Sequence, residues 1–284
     1  MNKNIVIPNK KQLDEKIAKF KKEGSKKIHV LSDFDKTLTY FSVNKQKAPS
    51  IIFLLREGKY LAPGYSDKAF ALYEEYHPDE IDLSKSYDFR KKRMDEWWSR
   101  HFQLLIESGL NKKDIENIAG DKRIKLRKGI NKFLKKLDGE NIPLLIISAS
   151  GVGDSIKMIL EKEKLNLQNI HVITNTYEFD EKDNAIKPKK PTIHSLNKSE
   201  VAIKDYPVFN KIKNRKNVLL LGDSIDDIGM IEGFDYNEII KIGFLNEKTE
   251  EQKKDFERNF DIVILDDGNM GHVNDLLKNI LEKK

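Results

Sequence analysis

No cysteine occurs among the 284 residues. Disulfides, thiolate zinc sites and cysteine nucleophiles are excluded together, and the absence is compatible with the cytosol. Nor is there an apolar run of roughly eighteen residues, so no segment reads as a membrane span. The amino terminus, Met1-Asn2-Lys3-Asn4, soon reaches a lysine-rich helix and lacks the apolar core of a signal peptide. A soluble, cytoplasmic protein with no membrane partner is the expectation. The six histidines (29, 77, 101, 171, 194 and 272) are scattered without metal-ligand spacing and read as structural or surface groups.

What is present is an ordinary apolar fraction and a large population of both charges, with a net charge of +6. Lysines are interspersed with acids along helix faces, as from Lys248 to Arg258, which is the pattern of a solvated surface. No stable nucleic-acid complex is expected from such mixing.

Leu13, Ile17 and Phe20 recur at helical spacing, so residues 10–23 form an amphipathic helix ended by Gly24. Ile28 to Leu31 is a short buried strand. The same strand-then-helix rhythm returns after about residue 125. Strands are expected at 143–147, 170–174, 218–221, 239–243 and 262–265, with helices carrying Ile130, Phe133, Leu134 and Leu137, then Ile156, Ile159 and Leu160. A closing helix carries Val273, Leu276, Leu277 and Ile280. Apolar strands of four or five residues alternating with helices imply an α/β fold, a parallel sheet covered on both faces. Residues 45–122 interrupt the rhythm with helical, aromatic-rich patterns and no convincing strand. They read as a helical insertion, 45–122, between core segments 1–44 and 123–284. Lys187 to Pro191 reads as a surface loop.

The polar motifs fall at strand ends, where such sheets bind ligands. Asp33-Phe34-Asp35-Lys36-Thr37-Leu38-Thr39 follows the first strand. Two carboxylates spaced i, i+2 there repel one another unless a hard divalent ion, which takes oxygen ligands, sits between them. One can then attack phosphorus while the other handles a proton. Ile147-Ser148-Ala149-Ser150-Gly151 offers hydroxyls that can hold a phosphate oxygen; by itself the pattern is equally that of serines beginning a helix. Lys198 follows Ser195-Leu196-Asn197. Gly222-Asp223-Ser224-Ile225-Asp226-Asp227 places three carboxylates within five residues, which suits a magnesium site.

In this order the four motifs resemble the haloacid dehalogenase superfamily of phosphotransferases. The resemblance implies a Rossmannoid three-layer parallel sheet with an inserted α-helical cap. It makes Asp33 the nucleophile and Asp35 first the general acid, then the base. Ser148 and Lys198 become the phosphoryl ligands. Asp33, the Asp35 carbonyl, Asp223 and Asp227 become the protein side of a Mg²⁺ site. A narrower likeness runs through Ile142-Pro143, Gly151-Val152-Gly153-Asp154, Asn175, Phe179-Asp180, Ile193-His194, Asn197-Lys198 and Ile240 to Asn246. With Met94-Asp95-Glu96-Trp97-Trp98, these resemble the cytosolic pyrimidine 5'-nucleotidase family, which implies a nucleoside monophosphate substrate. The serine motif is one residue longer than that family's, so Ser148 and Ser150 are alternatives, with strand register favouring Ser148. Of the insertion's acids, Asp88 stands nearest the place of the family's base-recognising residue.

Trp97 and Trp98, adjacent on a helix, diverge by about 100° and read as packing residues sooner than as a stacking pair. Arg90 to Arg93 reads as a solvated helix face. Two rival functions fit the composition: a small-metabolite phosphatase of the same superfamily, and a non-catalytic basic binding module. The intact carboxylates argue against the second.

Overall fold

The computed structural model describes residues 4–82, 84–198, 206–247 and 249–282. Met1 to Lys3 at the amino terminus and Lys248 at the head of the charged stretch lie outside them.

Helix α1 (Lys10–Glu23) begins where the Asn9 side chain accepts from the Gln12 amide at 3.0 Å. It buries Leu13, Ile17 and Phe20 and stops at Gly24, whose φ of +78° suits a residue without a Cβ. The central sheet then takes strands β1 (Ile5–Val6), β2 (Ile28–Ser32), β5 (Leu144–Val152), β6 (Ile170–Asn175), β9 (Asn217–Gly222), β10 (Glu238–Leu245) and β11 (Ile262–Leu265). Their order is β1-β11-β10-β9-β2-β5-β6. All neighbours are parallel except β1, which pairs antiparallel with β11.

Alternate residues of each strand face two separate cores. Val30, Leu219 and Leu221 join α1, α6 (Ile130–Gly139), α7 (Ser155–Lys162) and α10 (Gly271–Leu281) on one face. Leu31, Leu145, Val218 and Leu220 face α8 (Phe209–Ile212), the 3-10 helix Ile225–Ile231 and α9 (Glu250–Asn259) on the other. That is why these strands read as unbroken apolar runs.

The α/β layering matches the expectation, and the departures have simple causes. The two-residue edge strand β1 is too short to show a period. Two small antiparallel pairs, β3 (Ser42–Val43) with β4 (Gln46–Lys47) and β7 (Tyr177–Phe179) with β8 (Ala185–Pro188), were not expected. The first puts a strand inside 45–122, and the second takes Lys187 and Pro188 out of the surface loop. β5 runs on past Ile147 through a register shift to Val152.

Between β4 and α6 lie α2 (Ile51–Arg56), α3 (Tyr65–Ile81), α4 (Tyr87–Glu107) and α5 (Lys112–Ala119). Trp97 and Trp98 are buried, Trp97 stacked on Tyr76 at 6.1 Å and Trp98 against Phe102 at 5.3 Å. Arg90 and Arg93 correct the solvated-face reading. Arg90 is buried and donates to the Glu80 carbonyl, while Arg93 pairs with Asp79 at 2.6 Å over the Tyr76 ring. Arg90 serves a free carbonyl at the carboxyl end of α3, where such groups need donors, and Arg93 serves a carboxylate on the same last turn.

Candidate active site

Parallel strands that start in register also end together, and the chain uses this to gather its acids. Ser32 pairs with Leu221 on β9 and with Ile146 on β5. Asp33, one residue past β2, continues the ladder by donating its amide to the Leu221 carbonyl at 3.1 Å. Asp223 follows β9 directly. Asp227 returns on the 3-10 helix, where its Oδ2 accepts the amides of Asp223 and Ser224 at 3.0 Å each. Gly222 makes this possible, because a Cβ there would lie 2.5 Å from that of Asp227.

Carboxylate oxygens of Asp33, Asp223 and Asp227 all lie within 4.8 Å of one another. Lys198 stands between two of them, its Nζ 2.6 Å from Asp33 Oδ1 and 2.7 Å from Asp227 Oδ1. Thr37 Oγ1 donates to Asp223 at 3.4 Å. One ammonium among three carboxylates leaves negative charge over, and the donors are all hard oxygens, so the set fits a divalent cation.

Burial is the main force on these groups. It raises the Asp33 carboxyl well above the usual range; Lys198 opposes it, and Asp227, Asp223 and Asp35 add to it. Asp223 is pushed up to about 7 by burial and then by Asp227. Asp35 is raised by burial against the Ser150 hydrogen bond and Lys36. For Lys198 burial works downward, but the Asp227 and Asp33 carboxylates outweigh it and hold the ammonium charged.

The two serines occupy different places. Ser150 donates its hydroxyl to Asp35 Oδ2. Ser148 is buried, and its Oγ accepts the Gly151 amide at 3.1 Å. Among the described residues that hydroxyl has no acceptor for its own proton.

Sequence reasoning missed what holds Lys198. Asn175 accepts the Ile193 amide at 2.8 Å and donates to the carbonyls of Ala149 and Ile193. Asn197 accepts the His194 amide and donates to the Thr192 carbonyl, both at 2.8 Å. The helices contribute too. Ser195 donates to Glu80 at 2.6 Å, and Tyr87 donates to the Leu196 carbonyl. Burial lowers the His194 pKa, which favours the neutral ring. Its Nδ1 accepts from the Leu196 amide, which leaves Nε2–H to donate to Asp95 at 3.2 Å. Asp88, by contrast, is exposed on the first turn of α4. Glu80, half-buried beside the same groups and accepting from Ser195, is the acid that the fold brings to this loop. It carried no sequence signal beyond being one of many acids.

The fold and the acids at its strand ends define a phosphatase of the haloacid dehalogenase type. A family hydrolase of that superfamily from Salmonella enterica superposes with a TM-score of 0.53 at 16% identity, over 92% of this chain and 72% of that one, which speaks for the fold alone. The sequence profile of the pyrimidine 5'-nucleotidase (UMPH-1) family matches residues 36–281, and the chain belongs to that family. It is a phosphoric monoester hydrolase of the 5'-nucleotidase kind. The 7-methylguanosine phosphate-specific 5'-nucleotidase of Rattus norvegicus is 33% identical over 100% of this chain and 94% of its own length. The Homo sapiens enzyme of that name is 33% identical over 99% and 94%. A crystal structure of cytosolic 5'-nucleotidase IIIB bound to cytidine superposes with a TM-score of 0.87 at 27% identity, over 99% and 94%. No helix among the described residues is long and apolar enough to cross a membrane.

The raised carboxyls give a testable pH dependence. The folded chain holds protons on Asp33 and Asp223 that the unfolded chain has released above about pH 4. Metal-free stability therefore falls as pH rises from about 4 toward 7. A divalent cation needs the deprotonated carboxylates and should reverse the trend. Thermal melts at pH 5 and pH 8, with and without metal, check this. Stabilisation should reach about 2.7 kcal/mol where the metal is at 100-fold over Kd, and at one fixed metal concentration it should be larger at pH 8 than at pH 5. Equal metal stabilisation at both pH values contradicts the site.

Proposed function

We propose that this chain hydrolyses nucleoside 5'-monophosphates to nucleoside and phosphate, with Mg²⁺ as its cation and Asp33 as the group that is phosphorylated. We further assign residues 45–122 as the cap and 1–44 with 123–284 as the catalytic core, working in the cytoplasm as the names of the cytosolic relatives suggest. The observation that carries the reading is the meeting of Asp33, Lys198, Asp223 and Asp227 at the ends of adjacent central strands.

Asp33 attacks phosphorus as the ester P–O bond breaks. Asp35, whose raised pKa suits a carboxylic acid, gives its proton to the departing O5'. The Asp35 carboxylate then takes a proton from the water that attacks the phosphoaspartate, and the bond between phosphorus and the Asp33 oxygen breaks to release phosphate. The Ser148 hydroxyl and the Lys198 ammonium hold the phosphoryl oxygens, which is where charge must be met in such transfers. Asp33, Asp223, Asp227 and the Asp35 carbonyl would hold Mg²⁺, which supplies charge neutralisation at the phosphoryl group. Two displacements in place of one let a positioned carboxylate do the harder attack.

We assign the leaving-group side to the helices. Arg56, on α2, is 6% exposed and lies over the rings of Tyr73 at 4.7 Å and Trp97 at 5.7 Å. Among the described residues its buried Nε has no hydrogen-bond partner, and neither has the buried Trp97 indole N–H. Unfilled donors of this kind, with the Glu80 carboxylate nearby, support a leaving group rich in hydrogen-bonding atoms, as a nucleobase is. Glu80, and not the neighbouring but exposed Asp88, is the acid we assign to base recognition.

Phosphate release from a panel of nucleoside monophosphates, including those of cytidine and 7-methylguanosine, and from sugar phosphates and phosphoserine tests the reading. Nucleotides should be turned over only with the cation, and Asp33→Asn should lower kcat by roughly 10⁴-fold or more without unfolding. Turnover confined to non-nucleotide esters defeats the substrate assignment. For the serines, Ser148→Ala should raise KM and lower kcat/KM by about 10-fold or more, the scale of one lost charge-assisted hydrogen bond. Ser150→Ala should chiefly shift the alkaline limb of the kcat/KM–pH profile, where Asp35 loses the proton it donates. The reverse pattern exchanges their roles.

A further inference from the structure

Among the described residues Arg127 is the largest fully buried side chain outside the reacting groups. It sits on the connector that returns from the helices to α6, and nothing in the chemistry above uses it. Its donors all reach named acceptors. Nε donates to the Thr37 carbonyl at 2.8 Å, and Nη2 donates to the Lys36 carbonyl and to Asn246 Oδ1, the latter at 2.7 Å. Nη1 donates to Asp267 at 2.9 Å and to the Gly268 carbonyl. The guanidinium lies over the Phe244 ring at 4.5 Å.

Lys36 and Thr37 are the two residues that follow Asp35. The chain turns sharply there, with Lys36 at φ +59°, a conformation that a residue with a side chain seldom adopts. The turn aims two backbone carbonyls inward, and a buried carbonyl needs a donor. Arg127 serves both, while Asn246 Nδ2 adds a bond to Lys36 at 3.0 Å. The Arg127 amide donates to the Leu38 carbonyl at 2.9 Å. Asp267, the counter-ion, also accepts the amides of Phe41 at 2.8 Å and Ser42 at 2.9 Å. Residues 36, 37, 41 and 42, which follow Asp35, are thus held by one ion pair.

We propose that Arg127, with Asp267 and Asn246, is a positioning residue that sets the proton-transfer geometry of Asp35 through the carbonyls of Lys36 and Thr37. The inference rests on the reading of Asp35 as the acid and base. Lysine keeps the charge but offers one point of donation where the site needs a planar fork, so Arg127→Lys should misplace Asp35 without removing it.

The readout is leaving-group dependence. A nucleoside alkoxide needs a proton to depart, whereas p-nitrophenolate leaves without one. For Arg127→Lys, kcat/KM on a nucleoside monophosphate should fall about 10- to 100-fold further than on p-nitrophenyl phosphate, within the range general acid catalysis supplies. Asn246→Ala should show a smaller split in the same direction, and it carries the test if the arginine variant does not fold. Leu277→Ala, which empties a buried position on α10, is the control: it should lower Tm with no split. Asp35→Asn, assayed beside them, separates the two claims. A split in Asp35→Asn but in neither Arg127→Lys nor Asn246→Ala overturns the positioning role alone. No split in Asp35→Asn overturns the acid assignment, and the inference with it.

Discussion

The Lys198 ammonium, held between Asp33 and Asp227, is the contact on which the site depends. Adjacent strand ends bring three carboxylates into a space from which water is largely removed. Left alone they would either separate or stay protonated, as the raised Asp33 and Asp223 carboxyls show. A buried cation offsets part of that repulsion, and the remaining negative charge is what gives the site its appetite for a divalent ion. The same ammonium is then at hand for the phosphoryl oxygens. A cluster that is costly to assemble in a low dielectric is thereby tied to the chemistry.

Holding that lysine requires both parts of the molecule. The loop before it is fastened to the sheet by Asn175 and Asn197, and to the helices by Glu80, Tyr87 and Asp95. A displacement of α3 or α4 therefore reaches Lys198 through direct hydrogen bonds. On the opposite side of Asp33, the Asp35 turn is fastened by Arg127 and its partners to the ends of β10 and β11. The reacting aspartates thus sit between two hydrogen-bonded supports, one answering to the helices and one to the sheet.

Much of this was legible in the sequence, for reasons that differ from residue to residue. The parallel strands announced themselves because both of their faces are buried, and Asp33 and Asp223 were readable because they follow those strands at once. Lys198 is one of 52 basic residues, and only the order of motifs singled it out. Asn175 stood within the family likeness without a role, while Glu80 and Arg127 work through partners distant in the chain (Arg127 donates to residues 36, 37, 246 and 267) and leave no local pattern. Arg90 and Arg93 were misread because a charged stretch on a helix looks the same whether it meets water or the end of a neighbouring helix. The serine motif left Ser148 and Ser150 as alternatives because it is one residue longer than the family's, and β5 takes up extra length in a register shift between Ile147 and Val152.

The central claim is that phosphate passes through Asp33. Acid-quenching the enzyme during turnover, reducing the trapped acyl phosphate with borohydride and sequencing the peptides by mass spectrometry tests it most directly. The account predicts homoserine at position 33 and unmodified Asp35. Homoserine at position 35, or turnover with no reducible acyl phosphate at all, contradicts it.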